Sequence, residues 1–140
     1  MSTHRTPRPL LLVAGIALAW SAHAAESLTK DAYEAAKERI AADHKSARQA
    51  CDQHMSVTKN VCAKQADARA KIARAELEYR ASGKDADRLK AMEVRAEQEY
   101  DVAMVRCDER IAAAKEACEA DAKAVRKRAQ VTIESMRRSG

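Results

Sequence analysis

The sequence predicts an all-α protein: a long antiparallel helical hairpin with a coiled-coil-like, alanine-rich seam, stapled by two disulfides. After position 24 the chain contains no proline and only one internal glycine, Gly83. Its dominant residues are alanine, glutamate, lysine and arginine, which lose the least free energy on entering a helix. Four cysteines are distributed evenly on the two sides of that glycine. Together these observations predict two helices, one turn and two covalent links.

The first 24 residues have the pattern of a cleavable signal peptide. A basic opening is followed by an apolar run of about 11 residues and by Ala22-His23-Ala24, a typical cleavage site. A membrane-spanning helix needs roughly 20 apolar residues, so an uncleaved anchor is the weaker interpretation. No second apolar run follows. We therefore expect cleavage after residue 24 and a mature chain, 25–140, that is exported to the periplasm or secreted and has no transmembrane segment.

Helix-breaking residues mark a single turn in the mature chain. We predict one helix over about 28–81, a turn at 82–85 and a second helix over about 85–137. Gly83 suits the left-handed conformation that commonly ends a helix. The only other weak point is the β-branched and polar stretch that begins at Ser56. The sequence leaves open a break there, which a four-helix structure would need.

The two predicted helices contain a duplicated motif. A shift of 56 positions places the motif C-D-x6-K-x2-C at 51–62 onto the same motif at 107–118. Large apolar residues are scarce along the whole mature chain, so the hydrophobic core is expected to be thin. In an exported protein, disulfides are the natural additional source of stability.

The four cysteines allow three pairings. In a continuous helix the two cysteines of one motif stand roughly 16 Å apart, whereas a disulfide needs Cα atoms within about 7 Å. Pairing within a motif therefore requires a broken helix, and residues 108–117 are strong helix formers. In a hairpin folded at the predicted turn, by contrast, the motifs lie opposite each other. We therefore predict disulfides joining Cys51 to Cys118 and Cys62 to Cys107.

Small and apolar residues continue along the cysteine face of both predicted helices. Met55 lies on this stripe between Cys51 and Cys62, and Ile111 has the equivalent place in the second motif. Eleven residues bring a helical side chain back to within about 20° of its starting direction. Both stripes thus run through the motifs without interruption, as unbroken helices require. In the predicted hairpin Met55 faces Ala114.

The export signal, the richness in alanine, lysine and glutamate, and the duplicated motif resemble a group of small proteobacterial envelope proteins, some of them labelled TolA-like. The likeness extends from residues 32–37 through both motifs. Members of this group often carry Ser-Gly-Asn between the paired cysteines, which implies a turn and local disulfides. This chain has other residues there, at 54–57 and 110–113. The departure argues against local pairing, and the resemblance implies no activity.

We expect a non-enzymatic scaffold or partner-binding protein of the periplasm, without a cofactor. Only two histidines remain in the mature chain, there is no glycine-rich loop, and a hairpin offers no deep pocket. The net charge is +5, and about +3 without the two arginines of the signal peptide, which is too small to imply nucleic acid. The partner is an envelope protein or a second copy of the chain. Five valines off the cysteine stripe either face that second copy or lie on an exposed surface: Val57, Val61, Val94, Val102 and Val105.

Two other functions are open at this point. Cys51, His54 and Met55 crowd one helical turn, with His44 two turns earlier, and such soft ligands suit copper(I), although structural disulfides are the alternative. A second possibility is binding to an anionic envelope surface through basic residues near the C-terminus. The alternative is a solvated face with cations near a helix C-terminus. These basic residues are Lys123, Arg126, Lys127, Arg128, Arg137 and Arg138.

Overall fold

The computed structural model describes residues 28–139, which form four α-helices joined by short connections. The helices are α1 (Lys30–Cys51), α2 (Ser56–Ser82), α3 (Asp85–Cys107) and α4 (Ala112–Ser139). No strand occurs among these residues, so the predicted all-α class is confirmed. The predicted signal peptide, residues 1–24, lies outside the described part of the chain.

Each of the two long predicted helices is divided in two. The helix predicted over about 28–81 is interrupted at residues 52–55, and the one predicted over about 85–137 is interrupted at residues 108–111. The first interruption immediately precedes Ser56, where the sequence left a break open. The second falls in a stretch that favours helix. Local propensity is therefore overruled there by a stronger constraint.

That constraint is the pairing of the cysteines. Two disulfides are present, as predicted, but they join Cys51 to Cys62 and Cys107 to Cys118, with Cα–Cα distances of 5.5 and 5.6 Å. The predicted pairs, Cys51 with Cys118 and Cys62 with Cys107, are wrong. A straight helix would hold each bonded pair roughly 16 Å apart, so the chain has to reverse direction between the two cysteines.

The remaining helix ends follow the sequence closely. Thr29 caps α1, because its side-chain oxygen accepts a hydrogen bond from the Ala32 amide at 3.2 Å. Helix α2 ends at Gly83, which adopts φ 64° and donates its amide to the Tyr79 carbonyl at 2.8 Å. Residues with a Cβ pay a steric cost in this left-handed conformation. The lone internal glycine thus sits at the central turn.

The helices form an open array in chain order. Helix α2 contacts α1 and α3, and α3 contacts α4; no other pair of helices in residues 28–139 is in contact. Successive helices run antiparallel, as shown by Tyr33 of α1, which hydrogen-bonds to Glu78 near the end of α2. The array is therefore not a closed four-helix bundle. Both disulfide-closed connections lie at the same end, called here the loop end, and the Gly83 turn lies at the other.

The array consists of two copies of one hairpin. The 56-residue shift places the end of α1 at Cys51 on the end of α3 at Cys107, and the start of α2 at Ser56 on the start of α4 at Ala112. The two disulfides correspond in the same way. The sequence duplication is thus a duplication of a disulfide-closed helical hairpin.

Small residues dominate the buried positions. Within residues 28–139, the large apolar side chains that are buried are those of Leu77, Val102 and Ile133, and the other buried apolar residues are alanines and cysteines. The alanines are Ala66, Ala68, Ala70, Ala91 and Ala122. Small side chains permit adjacent helices to approach closely, which compensates in part for the thin core.

None of the five valines lies on a fully exposed surface. All of them belong to α2 or α3, the two helices that join the hairpins. Val102 is buried and the others are half-buried. Val61 lies three residues before Lys64, whose ammonium group is 2.7 Å from the Asp101 carboxylate of α3. Since residues three apart share a helix face, Val61 lies on the side of α2 that is next to α3.

The helix that follows each disulfide-closed connection begins with a strained residue. Ser56 has φ 54° and Ala112 has φ 46°, and these are the only non-glycine residues with positive φ in residues 28–139. The left-handed conformation costs an L-residue roughly 1–2 kcal/mol. The two positions are equivalent in the repeat, so the strained backbone is a regular feature of this type of hairpin.

Peptide mapping under non-reducing conditions checks the cysteine pairing. Trypsin cleaves after lysine and arginine, so we expect peptide 49–59 to be linked to 60–64, and peptide 107–110 to be linked to 116–123. Mass spectrometry identifies the linked pairs directly. Linkage of 49–59 to 116–123 would instead restore the two-helix hairpin and contradict the structure.

Glycine at the strained positions is expected to stabilise the protein. Ser56→Gly and Ala112→Gly should each raise the free energy of unfolding by up to about 1 kcal/mol, because glycine adopts positive φ without the steric cost. Urea unfolding of the disulfide-bonded protein, followed by circular dichroism at 222 nm, measures the change. Ala120→Gly, at a regular exposed position of α4, is the control and should lower the free energy of unfolding by about 1 kcal/mol. Destabilisation of all three variants alike would contradict this interpretation.

Candidate functional site

The duplicated motif forms the same disulfide and the same ion pair in both hairpins. In each, the first cysteine is the last residue of a helix, and the aspartate after it is the helix C-cap. The motif lysine reaches back to that aspartate: Lys59 Nζ is 2.9 Å from Asp52, and Lys115 Nζ is 2.8 Å from Asp108. The motif residues that recur in the sequence thus have a structural role, which is to close the connection between two antiparallel helices.

The ion pairs shift the pKa values of their members. A hydrogen bond from Lys59, together with its positive charge and that of Arg48, holds the pKa of the Asp52 carboxyl below its ordinary value. In the second hairpin, the hydrogen bond and the negative charge of Asp108 raise the pKa of Lys115, with a smaller contribution from Glu119. Both shifts favour the charged forms that make the ion pair.

The loop end exposes one large apolar side chain from each hairpin. Met55 is 85% exposed and Ile111 is 83% exposed, and the two positions correspond in the repeat. By contrast, Cys51 and Cys107 next to them are only 2% and 0% exposed. Large apolar residues are scarce in this chain, yet two of them are exposed to solvent at the loop end of the array.

The structure does not assemble the predicted copper ligands. Cys51 is bonded to Cys62, so it presents no thiolate. His44 faces α2, where its Nε2 is 2.7 Å from Asp67, while His54 and Met55 are exposed in the first connection. No group of three or more histidine, cysteine or acidic side chains in residues 28–139 is arranged to hold a metal ion.

The predicted basic surface is a mixed-charge cluster. Arg126 pairs with Glu97 of α3 at 3.3 Å, and Arg137 pairs with Glu93 of α3 and with Glu134. Lys123 pairs with Glu119 of its own helix at 3.6 Å. The other three basic residues, Lys127, Arg128 and Arg138, form no ion pair with the described residues. Carboxylates from α3 and α4 therefore neutralise half of the predicted basic set.

An apolar groove runs between α3 and α4, and it is called here the α3–α4 groove. It has a volume of ≈ 560 Å³ and is lined by residues of both helices: Ala96, Tyr100, Ala103, Ala114, Ala117, Cys118, Ala122, Val125 and Ala129, with Glu99, Arg110, Asp121 and Arg126 at its edges. The guanidinium of Arg126 lies 4.0 Å from the centre of the Tyr100 ring, which closes one side. Val125 is 52% exposed and projects a branched side chain at the groove.

The first hairpin has an equivalent but smaller groove. The groove between α1 and α2 has a volume of ≈ 260 Å³, and residues that line it correspond to the α3–α4 groove after the 56-residue shift. Ile40 stands where the second hairpin has Ala96, and Arg69 stands where it has Val125. Conversely, Tyr100 and Arg126 of the second groove stand where the first hairpin has His44 and Ala70.

Sequence reasoning missed both grooves because it treated each pair of helices as one straight helix. The available signal was the spacing of the small residues. Ala114, Ala117 and Ala122 share a face of α4 with Cys118, which indicates close helix packing on one side and a shallow surface beside it.

Comparison with known proteins identifies no relative of this chain. No family model, no curated protein and no solved structure gives a significant match. Within residues 28–139, no helix has the length and apolar character needed to cross a membrane. The function therefore has to be argued from the geometry itself.

Acidification is expected to break the Asp52–Lys59 ion pair. The folded-state pKa of Asp52 is lowered, so its stabilising contribution is present above the ordinary aspartate pKa of about 3.9 and is lost as the pH falls through the folded-state value. An NMR titration of the carboxyl carbons should show Asp52 titrating below the exposed aspartates. In Lys59→Met its pKa should return upward, whereas Lys115→Met should leave it unchanged. If the pKa of Asp52 in the native protein equals that of the exposed aspartates, the ion pair with Lys59 is contradicted.

Proposed function

We propose that this chain is an exported, non-enzymatic scaffold of the cell envelope that binds a helical segment of another envelope protein in the α3–α4 groove. The groove carries the proposal. It is an apolar surface between two helices that no other described element covers, and the helices beside it are held by a disulfide and by several ion pairs.

The lining of the groove suits an α-helix better than a compact ligand. Alanines on α3 and α4 keep its floor flat, so a third helix with small residues can lie close to both backbones. Tyr100 and Val125 supply the larger apolar contacts. The edges present both signs of charge, with Glu99 and Asp121 beside Arg110 and Arg126, and favour a partner helix with both acidic and basic residues beside its apolar stripe.

Two independent features support a location outside the cytoplasm. Both pairs of cysteines are disulfides, and such bonds persist in oxidising compartments such as the periplasm. The first 24 residues have the pattern of a cleavable leader. The likeness to small envelope proteins with a duplicated cysteine motif supports the same compartment.

A structural role, rather than catalysis, is supported by how the polar side chains are used. The motif aspartates and lysines pair with one another, and His44 pairs with Asp67. The cysteines are consumed in disulfides. These groups hold helices together, which leaves the groove as the surface for an external partner.

Site-specific photo-crosslinking in the native cells tests the proposal. A benzophenone amino acid at Val125, in the full-length chain, should form adducts with an envelope protein, and these should be recovered from the periplasmic fraction. The same amino acid at Glu116 is the positional control, because nine residues turn a helix by about two and a half turns and point this side chain away from the groove. The crosslinked peptide of the partner should come from an amphipathic helix.

A charge placed in the groove should abolish these adducts. Ala114 and Ala113 are both exposed neighbours, but only Ala114 lines the groove. Ala114→Glu is therefore expected to remove the Val125 adducts, while Ala113→Glu leaves them intact. Adducts that form equally at Glu116, or that survive Ala114→Glu, would rule out the groove as the binding surface.

A further inference from the structure

We propose that the two disulfides form a redox switch that goes beyond the scaffold role: a dithiol reduces both bonds, each disulfide-closed connection then becomes helical, and the four helices become two long ones. The oxidised form is the array described above. The reduced form is a hairpin of two rods folded at Gly83. Three observations on the connections point to this second state.

The first observation is the sequence of the second connection. Residues 108–117 contain no glycine or proline and are rich in alanine, glutamate, lysine and arginine. Such a stretch favours a continuous helix. In the oxidised form it is interrupted at residues 108–111, between two cysteines whose bond excludes a straight helix. Reduction removes the constraint that opposes the local preference.

The second observation is backbone strain. Ser56 and Ala112 adopt positive φ although neither is a glycine. In a continuous helix both residues would have the negative φ that their side chains favour. The strain is present in both hairpins at the same position, and it is relieved by straightening.

The third observation is the exposure of Met55 and Ile111. Met55 lies four residues after Cys51 and seven before Cys62, so in a continuous helix it would share the cysteine face. Ile111 has the same place in the second motif. In the oxidised form both are more than four-fifths exposed, at 85% and 83%. Two straight rods folded at Gly83 would bring these stripes together and bury the side chains that the array leaves in solvent.

The chemistry balances with a dithiol as the reductant. Cys62 and Cys118 are half-buried, whereas their partners are buried, so a dithiol thiolate attacks the sulfur of Cys62 or Cys118. The S–S bond breaks, the sulfur of Cys51 or Cys107 leaves as a thiolate and takes a proton, and a mixed disulfide forms. The second thiol of the reductant then attacks the reductant's own sulfur in the mixed disulfide. This step closes a disulfide within the reductant and releases the sulfur of Cys62 or Cys118 as a thiol. Each bond thus takes up two electrons and two protons.

Small-angle X-ray scattering of the exported protein, before and after dithiothreitol, tests the proposal. A rod over residues 30–82 is roughly 80 Å long, against roughly 40 Å for α2 alone. The array is also four helices wide, with roughly 10 Å between neighbouring helices, so its maximum dimension is roughly 55 Å. We therefore expect the maximum dimension to increase by roughly 25 Å on reduction, while the circular dichroism signal at 222 nm is retained. An unchanged maximum dimension would mean that reduction of the disulfides does not change the arrangement of the helices. A loss of the helical signal would mean that reduction unfolds the chain, and either result overturns the switch.

Glycine variants separate the switch from a general loosening of the fold. Ser56→Gly combined with Ala112→Gly relieves the strain of the bent form and penalises the continuous helix. In the reduced protein it should shift the equilibrium towards the short form by about ten-fold per hairpin. Asn60→Gly combined with Ala120→Gly places the same number of glycines at positions that are helical in both forms, so it should leave the equilibrium unchanged. Equal behaviour of the two double variants would contradict the proposal.

Discussion

The bond between cysteines 11 residues apart is the constraint on which the rest of the structure depends. A straight helix cannot satisfy it, so each disulfide fixes a reversal of the chain and with it the number of helices. Closing such a short loop stabilises a fold by about 3 kcal/mol in the chain-entropy model. Helix propensities amount to tenths of a kcal/mol per residue. The covalent constraint therefore prevails over the helix-forming sequence between Cys107 and Cys118, and the motif aspartate and lysine support it with an ion pair.

Composition was sufficient to predict the all-α class, and four cysteines behind a signal-peptide pattern were sufficient to predict two disulfides. The pairing was not predictable from spacing, because two equally spaced motifs satisfy the geometry of both arrangements. The prediction of cross-helix disulfides rested on the helical propensity of residues 108–117. The free energy of that propensity is too small to outweigh a covalent bond. The α3–α4 groove depends on the pairing, so it was missed for the same reason. The predicted copper site depended on the pairing as well, because Cys51 has no free thiol once it is bonded to Cys62.

The inner and outer helices of the two hairpins differ at equivalent positions of the repeat. Helices α2 and α3 join the hairpins, and their contact carries valines. The equivalent positions on the outer helices hold small or polar residues: Ala113, Glu38, Ser46 and Gln49 stand where the inner helices have Val57, Val94, Val102 and Val105. Repeat arrays commonly need such polar outer faces to remain soluble. The outer helices therefore offer little apolar surface at these positions, whereas the α3–α4 groove is lined mainly by apolar residues.

The groove and the disulfides are linked, because the α3–α4 groove exists only while α3 and α4 form a hairpin. A helix bound in the groove contacts residues of both helices, including Tyr100 and Val125, and has no equivalent site on a straight rod. A ligand that binds one of two states stabilises that state by an amount that grows with its concentration relative to its dissociation constant. An occupied groove would therefore make Cys107–Cys118 harder to reduce. By the same linkage, reduction would release the partner, so a change in the redox state of the compartment becomes a change in binding.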